Sequence, residues 1–473
     1  MKSMRIGGKL RRLRQDKRLS QTQMATELGI SPSYLNLIEG DRRPVTVRVL
    51  LRLAERFQVE LSSLGTESDE RLGHDLMEAL ADPVFEEHDV KASDVRELVA
   101  TLPNLAKALL ALYQSHRHAD HAGELPSSDK EPVLAALPSE EVSDFIQQRR
   151  NHFPELETAA EALWSENQLA LHTLQQDLVR VLAQRFAVDV EIVTAERMPQ
   201  LLRSFNPLTR RLQLSEMLSM PSRTFQLAHQ LAFLHCRATI DLIAAGGRLT
   251  TPEADALVRS ALANYFAAAV MMPYARFLEA ARATRHDINV LQHRFGVSFE
   301  QACHRLTTLN RPGQEGIPFH LLRVDIAGNI SKRFSASGLH IARFGAACPR
   351  WNVYDAFATP GMVRVQVSRM PDEQTFFCLA RTLRPPGRPT ARHGLAGRGR
   401  MLSIGLGCAI AHAREIVYSD GLHLEDPQIV TPIGVSCRTC PRTDCTDRAS
   451  PSLAQRLEID ENTRGISTLS RSG

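Results

Sequence analysis

Residues 20–44, SQTQMATELGISPSYLNLIEGDRRP, leave their part of the chain little conformational choice. Ser20 is placed to cap a helix, its hydroxyl taking an amide proton that a first turn leaves free. Gln23, three positions on, completes a capping-box pattern. Met24, Ala25 and Leu28 recur at helical spacing and give that helix one apolar face. Gly29 stands where a left-handed residue closes a helix. Ser31 caps a second helix, and Pro32 takes the first-turn slot where no amide is missed. Leu35 and Ile38 turn inward, while Ser33, Tyr34 and Asn36 turn outward. Two short helices across a tight turn make a helix-turn-helix, and the second has the polar outer face that a DNA major groove accepts. The plainer alternative is an amphipathic hairpin that binds protein.

The stretch resembles the phage-repressor/Cro type of helix-turn-helix. It has that family's L-S-Q opening at Leu19, Ser20 and Gln21, and a nearly complete I-E-x-G-x-R-x-P close at Ile38, Glu39, Asp41, Arg42, Arg43 and Pro44, with Gly40 one place early. By position, the resemblance implies that Gln21 holds a phosphate. It puts Ser31, Ser33, Tyr34 and Asn36 at base edges of an operator duplex, and Arg42 and Arg43 over its backbone. Residues 5–18 read as a preceding helix with Ile6, Leu10 and Leu13 inside. Some of Lys9, Arg11, Arg12, Arg14, Lys17 and Arg18 should meet phosphates, the alternative being a solvated basic face. Residues 46–57 supply Val49, Leu50, Leu53 and Phe57. Val59, Leu61 and Leu64 finish a five-helix unit over 1–65.

A chain of 473 residues suggests roughly three domains of about 150 residues. No apolar run approaches the roughly 20 residues a membrane span needs. The basic N-terminus lacks the apolar segment of a signal peptide. A cytoplasmic protein is expected, with its eight cysteines as thiols or metal ligands rather than disulfides. The formal net charge of +4 conceals an asymmetry: residues 1–65 hold 13 Lys/Arg against 6 Asp/Glu, and residues 66–145 hold 6 against 18. A basic head beside an acidic connector suits a nucleic-acid binder whose linker stays off the phosphates.

The connector, residues 66–142, reads as helical to about 115. Val95, Leu98, Val99, Leu102, Leu105, Leu109, Leu110 and Leu112 form an apolar seam that would pack inside the chain or between two protomers of a homodimer. Residues 115–140 have a linker's composition. His116, His118 and His121 lie in it and read as solvated rather than metal-binding.

Residues 143–310 read as a mainly helical middle domain with short strands at AVDVEIV and RLQL. Thr224–Cys236, TFQLAHQLAFLHC, resembles the helix of an IrrE/ImmA-type metallopeptidase-like domain, T-x-A-H-E-x-x-H. Ala263–Pro273, ANYFAAAVMMP, resembles that family's second signature. A zinc protease helix needs two histidines four apart and a glutamate beside the first as general base. Here His229 is present, but Gln230 stands at the base position, Phe233 at the second histidine and Leu262 at the third ligand. The expectation is a zincin-like fold without peptidase chemistry, its cleft open to another ligand.

Residues 311–473 read as an α+β domain. Val363, Val365 and Val367 alternate as in a strand, with residues 375–382 as its neighbour. Residues 384–400 form a basic Gly/Pro loop. Cys437, Cys440 and Cys445 make a C-x2-C-x4-C cluster, three thiols within nine residues. Such spacing points to metal ligation, with Cys408 in GLGC as fourth donor and Cys348 in ACPRW as its rival. Zinc and an iron–sulfur cluster both accept four thiolates. Cys236, Cys303 and Cys378 read as buried thiols.

Taken together, the helix-turn-helix, the degenerate IrrE-like segment, and CPRWNVYDAF, GLGC and IGVSCRTCPRTDC in the tail resemble the short-chain fatty acyl-CoA regulators. The resemblance implies a mainly α, multidomain transcription factor that senses acetyl- or propionyl-type coenzyme A through the middle domain. It also implies a [4Fe–4S] cluster on the C-terminal cysteines. A CoA thioester presents phosphates and a flat adenine, so its site should offer Arg or Lys and an aromatic plane. Arg203, Tyr265, His229 and Gln230 are the candidates. A redox-sensing iron–sulfur transcription factor and a metalloprotease acting on a repressor are the competing readings.

Overall fold

The computed structural model describes residues 10–57 apart from 12, 15, 16, 18, 41, 44, 47, 48, 50, 51, 54 and 55; 67–122 apart from 89; 138–384 apart from 248 and 344–346; and 401–452. The chain divides into two compact units. One comprises 1–134, 342–345 and 436–473, and the other 135–341 and 346–435. A unit boundary falls at 134/135, within the expected linker, and none falls near 310. Among the described residues, no single helix is long and apolar enough to cross a membrane.

In the first unit, helices Gln21–Leu28 and Pro32–Glu39 close over a core of Leu10, Met24, Ala25, Leu28, Leu35, Ile38, Val49 and Leu53. Ile6, Leu50 and the fifth-helix residues Val59, Leu61 and Leu64 lie outside the described residues. The connector follows as helices Glu67–Ala79, Ala92–Thr101 and Pro103–Ala122. Leu72, Leu76, Val95, Val99, Ala106 and Leu110 join in a small core of their own. The expected single seam thus splits. Val95, Val99 and Leu110 face inward, whereas Leu102, Leu105 and Leu112 are 54%, 55% and 62% exposed. The linker expected from 115 also begins later: with no Gly or Pro after Pro103, the helix runs through His116, His118 and His121 to Ala122.

The second unit has two sheets. Strands β1 (Asp189–Val193), β2 (Arg203–Asn206) and β3 (Arg211–Ser215) pair in the order β1-β3-β2, with β1 parallel and β2 antiparallel to β3. The six-stranded sheet has the order β5-β4-β8-β7-β6-β9. Its strands are β4 (His320–Asp325), β5 (Ile330–Ser335), β6 (Arg364–Arg369), β7 (Thr375–Leu383), β8 (Leu402–Ala409) and β9 (Val430–Pro432). The expected pair β6 and β7 is present and antiparallel. Strands β2, β4 and β5 carry no strict apolar alternation, whereas β8, also outside the expected pair, alternates Leu402, Ile404, Leu406 and Cys408 with Ser403, Gly405 and Gly407. One face of the large sheet contributes Phe377, Leu379, Ile404, Leu406 and Cys408 to the same core as the helices Met220–His235 and Pro252–Met271. That shared core is why middle and C-terminal segments form one unit.

Inside this core lies a bidentate ion pair. The Arg305 guanidinium donates to Glu157 Oε1 at 2.6 Å and Oε2 at 2.9 Å, and Nε donates to the Met272 carbonyl at 2.9 Å. Their side chains are 0% and 1% exposed. Burial would raise the Glu157 pKa, but the charge and hydrogen bonds of Arg305 outweigh it and hold the carboxyl below its ordinary value. Breaking such a pair strands a charge in the core. Arg305→Ala should cost about 3–5 kcal/mol, read as an earlier urea midpoint for the full chain. Glu157→Gln with Arg305→Met together should cost less. An unchanged midpoint for Arg305→Ala would contradict the assignment.

Candidate functional site

The helix-turn-helix is held by the interactions its sequence suggests. The Ser20 hydroxyl accepts from the Gln23 amide at 3.2 Å, and the Gln23 side chain accepts from the Ser20 amide at 2.8 Å. Gly29 has φ 62° and closes the first helix. Arg52 donates to the Leu28 carbonyl there at 2.8 Å. The Ser31 hydroxyl accepts from the Tyr34 amide at 3.1 Å. On the second helix Ser33 and Asn36 are exposed, with Ser31 at its cap, while Tyr34 is half-buried against the core. Arg42 and Arg43 are exposed just beyond, their amides both bonded to the Leu37 carbonyl.

Two expected phosphate contacts are engaged elsewhere. Arg14 donates to Glu39 at 2.7 and 3.1 Å, a largely buried bridge from the first helical segment to the outward-facing helix. Arg14 is thus a brace for that helix rather than a free cation. The Gln21 amide donates to Glu39 at 2.9 Å and lies 3.5 Å from Asn36. Arg11 and Lys17 are exposed; Lys9, Arg12 and Arg18 fall outside the described residues.

In the second unit, His229 projects from Met220–His235 into the interior. Its Nδ1 lies 2.5 Å from the Arg203 guanidinium on β2, and the ring also bonds the Ser260 backbone. A guanidinium only donates, so Nδ1 is the acceptor. Burial, reinforced by the Arg203 charge, lowers the His229 pKa to about 3, so the ring is neutral. Phe233 stands edge-on to it at 5.2 Å, filling the place of a second histidine. Gln230 and Leu262 are buried beside these groups on their helices. No carboxylate pairs with Arg203 among the described residues. The surviving histidine is saturated by protein groups, with neither a companion ligand nor a base.

Tyr265 is not part of that arrangement. Its hydroxyl donates to Glu157 at 2.6 Å and lies 3.3 Å from His152, within the Arg305 network. It is a core tyrosine, buried within the Glu157–Arg305 network. Its hydroxyl is engaged there and not with His229.

The sequence reading missed a cavity on the other face of the large sheet. Leu322, Leu339, Trp351, Val353, Gln366 and Ile433 are among its walls, and about 20 Å³ is free, room for about one water. His320 lies on its floor, with Nδ1 2.7 Å from the Ser337 hydroxyl and Nε2 3.6 Å from Cys378 Sγ. Burial lowers its pKa to about 3. Gly405 and Gly407 of β8 face this side. A Cβ at either would collide with Val353 or with the His320 ring. The two glycines of GLGC were the available signal.

The cysteine loop is wrapped around Arg448, which is 7% exposed. Its guanidinium donates to the carbonyls of Cys437 at 2.7 Å, Cys440 at 3.2 Å, and Arg442. The Ala449 amide donates to Cys437 Sγ at 3.3 Å. Three cysteines within nine residues are the donor type that a thiolate-bound group requires. Among the described residues, however, no three His, Cys, Asp or Glu side chains form a group able to hold a single metal ion. Cys408 is fully buried in the shared core with Phe377 and Leu406, and burial raises its thiol pKa strongly. Cys348 is buried as well.

Comparison with known proteins gives three family matches: a helix-turn-helix domain over residues 5–62, an IrrE N-terminal-like domain over 183–307, and the C-terminal domain of short-chain fatty acyl coenzyme A regulators over 308–469. The chain is 40% identical over 462 residues to the HTH-type transcriptional regulator PrpR of Mycobacterium tuberculosis, covering 96% of this chain and 93% of that protein. It is 38% identical to the HTH-type transcriptional regulator RamB of the same organism, covering 98% of each. It is 39% identical to a propionyl-CoA carboxylase regulator of Cereibacter sphaeroides, covering 97% of each. A solved Mycobacterium tuberculosis transcriptional regulator superposes with a TM-score of 0.66 at 41% identity, over 71% of this chain and 100% of that one.

The buried neutral histidines set a pH dependence. His229 and His320 have folded pKa values near 3, against about 6.5 when unfolded. Below about 6.5 the unfolded chain takes up protons that the folded chain refuses, so their stability contribution is complete above that pH and is lost toward 3. The thermal midpoint should fall between about pH 7 and pH 5, and His320→Gln should flatten the slope. A flat wild-type profile would show that these rings protonate in place.

Proposed function

This chain belongs to the family of short-chain fatty acyl-CoA regulators, and from that premise we propose that it is a sequence-specific DNA-binding transcriptional regulator of short-chain acyl-CoA metabolism. The observation that carries the reading is a fully capped helix-turn-helix at the head of a chain that matches such regulators end to end. Ser31, Ser33, Tyr34 and Asn36 are the candidates for base edges, and Arg42 and Arg43 for the backbone. The cytoplasm is the compartment where such a protein meets its operator. Peptidase chemistry is not part of the reading, because Gln230, Phe233 and Leu262 supply neither base nor ligands.

The effector in this reading is an acetyl- or propionyl-type CoA. Arg203, half-buried and without a carboxylate, is the cation offered to its phosphates, with His229 and Gln230 beside it. Cys437, Cys440 and Cys445, with Cys348 or Cys408, would hold a [4Fe–4S] cluster, zinc being the alternative; such a cluster would add a redox input. The active species is a homodimer. Leu105 and Leu112, seven residues apart with Leu109 between them, give the connector an exposed apolar stripe suited to a second copy of itself.

Binding of the full chain to operator DNA should change when propionyl-CoA is added, by the roughly 5–150-fold typical of coupled sites. Arg203→Ala should weaken the effector about tenfold, the value of one charge-assisted hydrogen bond. Unchanged DNA affinity across acetyl-, propionyl- and butyryl-CoA would remove the effector. Leu105→Asp with Leu112→Asp should yield a monomer in sedimentation with greatly weakened operator binding. A dimer that persists in that variant would place the interface elsewhere.

A further inference from the structure

Residues 131–473 hold 37 arginines and one lysine, Lys332. It stands on β5, the edge strand of the large sheet. An arginine stays charged in a protein, whereas a lysine amine can give up its proton and act as a nucleophile. The lysine side chain is 42% exposed, so a small reactant can reach it from solvent.

The groups around this amine come from one helix and one strand. The helix Phe299–Leu306 begins at Ser298, whose hydroxyl accepts from the Gln301 amide at 3.2 Å, while the Gln301 side chain accepts from the Ser298 amide at 2.7 Å. Glu300 and His304, four residues apart, share one face of that helix. On β4, Arg323 is the register partner of Lys332. Arg323 donates to Glu300 at 2.8 Å, so the carboxylate already has a cation. Lys332 Nζ is a second one, 3.2 Å from the same oxygen. Its other neighbour is His304, with Nε2 3.3 Å away. An ammonium only donates, so Nε2 is the acceptor. Burial, reinforced by the Lys332 charge, lowers the His304 pKa to about 3, and the ring is neutral. Partial loss of hydration lowers the Lys332 pKa; Glu300 opposes this, and Arg323 across the ladder adds to it.

We propose that Lys332 is an acyl-acceptor site, an amine that takes the acyl group of a short-chain thioester. Nζ attacks the thioester carbonyl; the N–C bond forms, the C–S bond breaks, and the products are an amide and a free thiol. The proton leaving nitrogen passes to His304 Nε2 and from there to the departing thiolate. The proton affinity of the ring rises as Lys332 loses its charge, so it is a better base during the reaction than before it. Glu300 acts in the opposite sense and holds the amine protonated. Acylation leaves Arg323 as the cation of Glu300 and removes one positive charge from the sheet edge. The choice of a thioester as donor rests on the regulator reading above; the reactivity of the amine does not.

The full chain is incubated with propionyl-CoA and, separately, with the propionyl thioester of N-acetylcysteamine, which lacks phosphates and adenine. Digestion and mass spectrometry then follow each lysine. Lys332 should be propionylated roughly 100-fold faster than the exposed Lys17, Lys91 and Lys107 of the same molecules, the lower end of what a positioned base contributes. His304→Gln should bring Lys332 down toward the rate of those lysines, and Glu300→Gln should speed it; an ion pair with a structural role alone predicts neither. Lys332 modified no faster than the other three in the wild-type chain would overturn the site. So would a His304→Gln chain, folded by circular dichroism, that reacts at the wild-type rate. If Lys332 is modified selectively while operator binding ignores propionyl-CoA, the site stands and the effector reading falls.

Discussion

Strand β8 meets protein on both faces. Ile404, Leu406 and Cys408 enter the core shared with the peptidase-like helices, while Gly405 and Gly407 let Val353 and His320 press onto the opposite side. A strand so enclosed tolerates neither an added Cβ nor an unpaired charge. His320 is accordingly neutral, bonded to Ser337 and set beside Cys378. The helical half and the sheet half cannot be treated as separate domains, because one strand closes the core of the first and floors the cavity of the second.

The relic of a metal site follows the same electrostatic logic. A zinc ion would bring charge that thiolates, imidazoles or carboxylates must balance. This chain offers one imidazole, hydrogen-bonded to Arg203 and flanked by Phe233. The arrangement is internally consistent as a cation beside a neutral ring. It is inconsistent with a catalytic metal, which needs an open position and a base.

Much of the front of the molecule was legible in the sequence because its signals are local. Ser20, Gln23, Gly29, Ser31 and Pro32 each act within four residues, and each does in three dimensions what its position suggests. Arg14 was not legible: whether a surface-pattern arginine meets a phosphate or a buried Glu39 depends on a residue 25 positions away. Tyr265 failed for the same reason, its partner Glu157 being 108 positions distant. Strand β8 alternates Leu402, Ile404, Leu406 and Cys408 with Ser403, Gly405 and Gly407, but two glycines so close together read as a turn or loop and hide that period. The cavity arises only when β4, β7 and β8 are set side by side, and no local pattern announces it.

The helix-turn-helix at the head of this chain is the part that reads DNA. The most direct measurement is selection of duplexes from a random library by the full chain, followed by footprinting of the enriched sequence. A two-fold symmetric site, with half-sites about one helical turn apart and lost on Asn36→Ala, is the predicted result. A chain that enriches no sequence, or whose enriched site is indifferent to Asn36 and its neighbours on that helix, would contradict it.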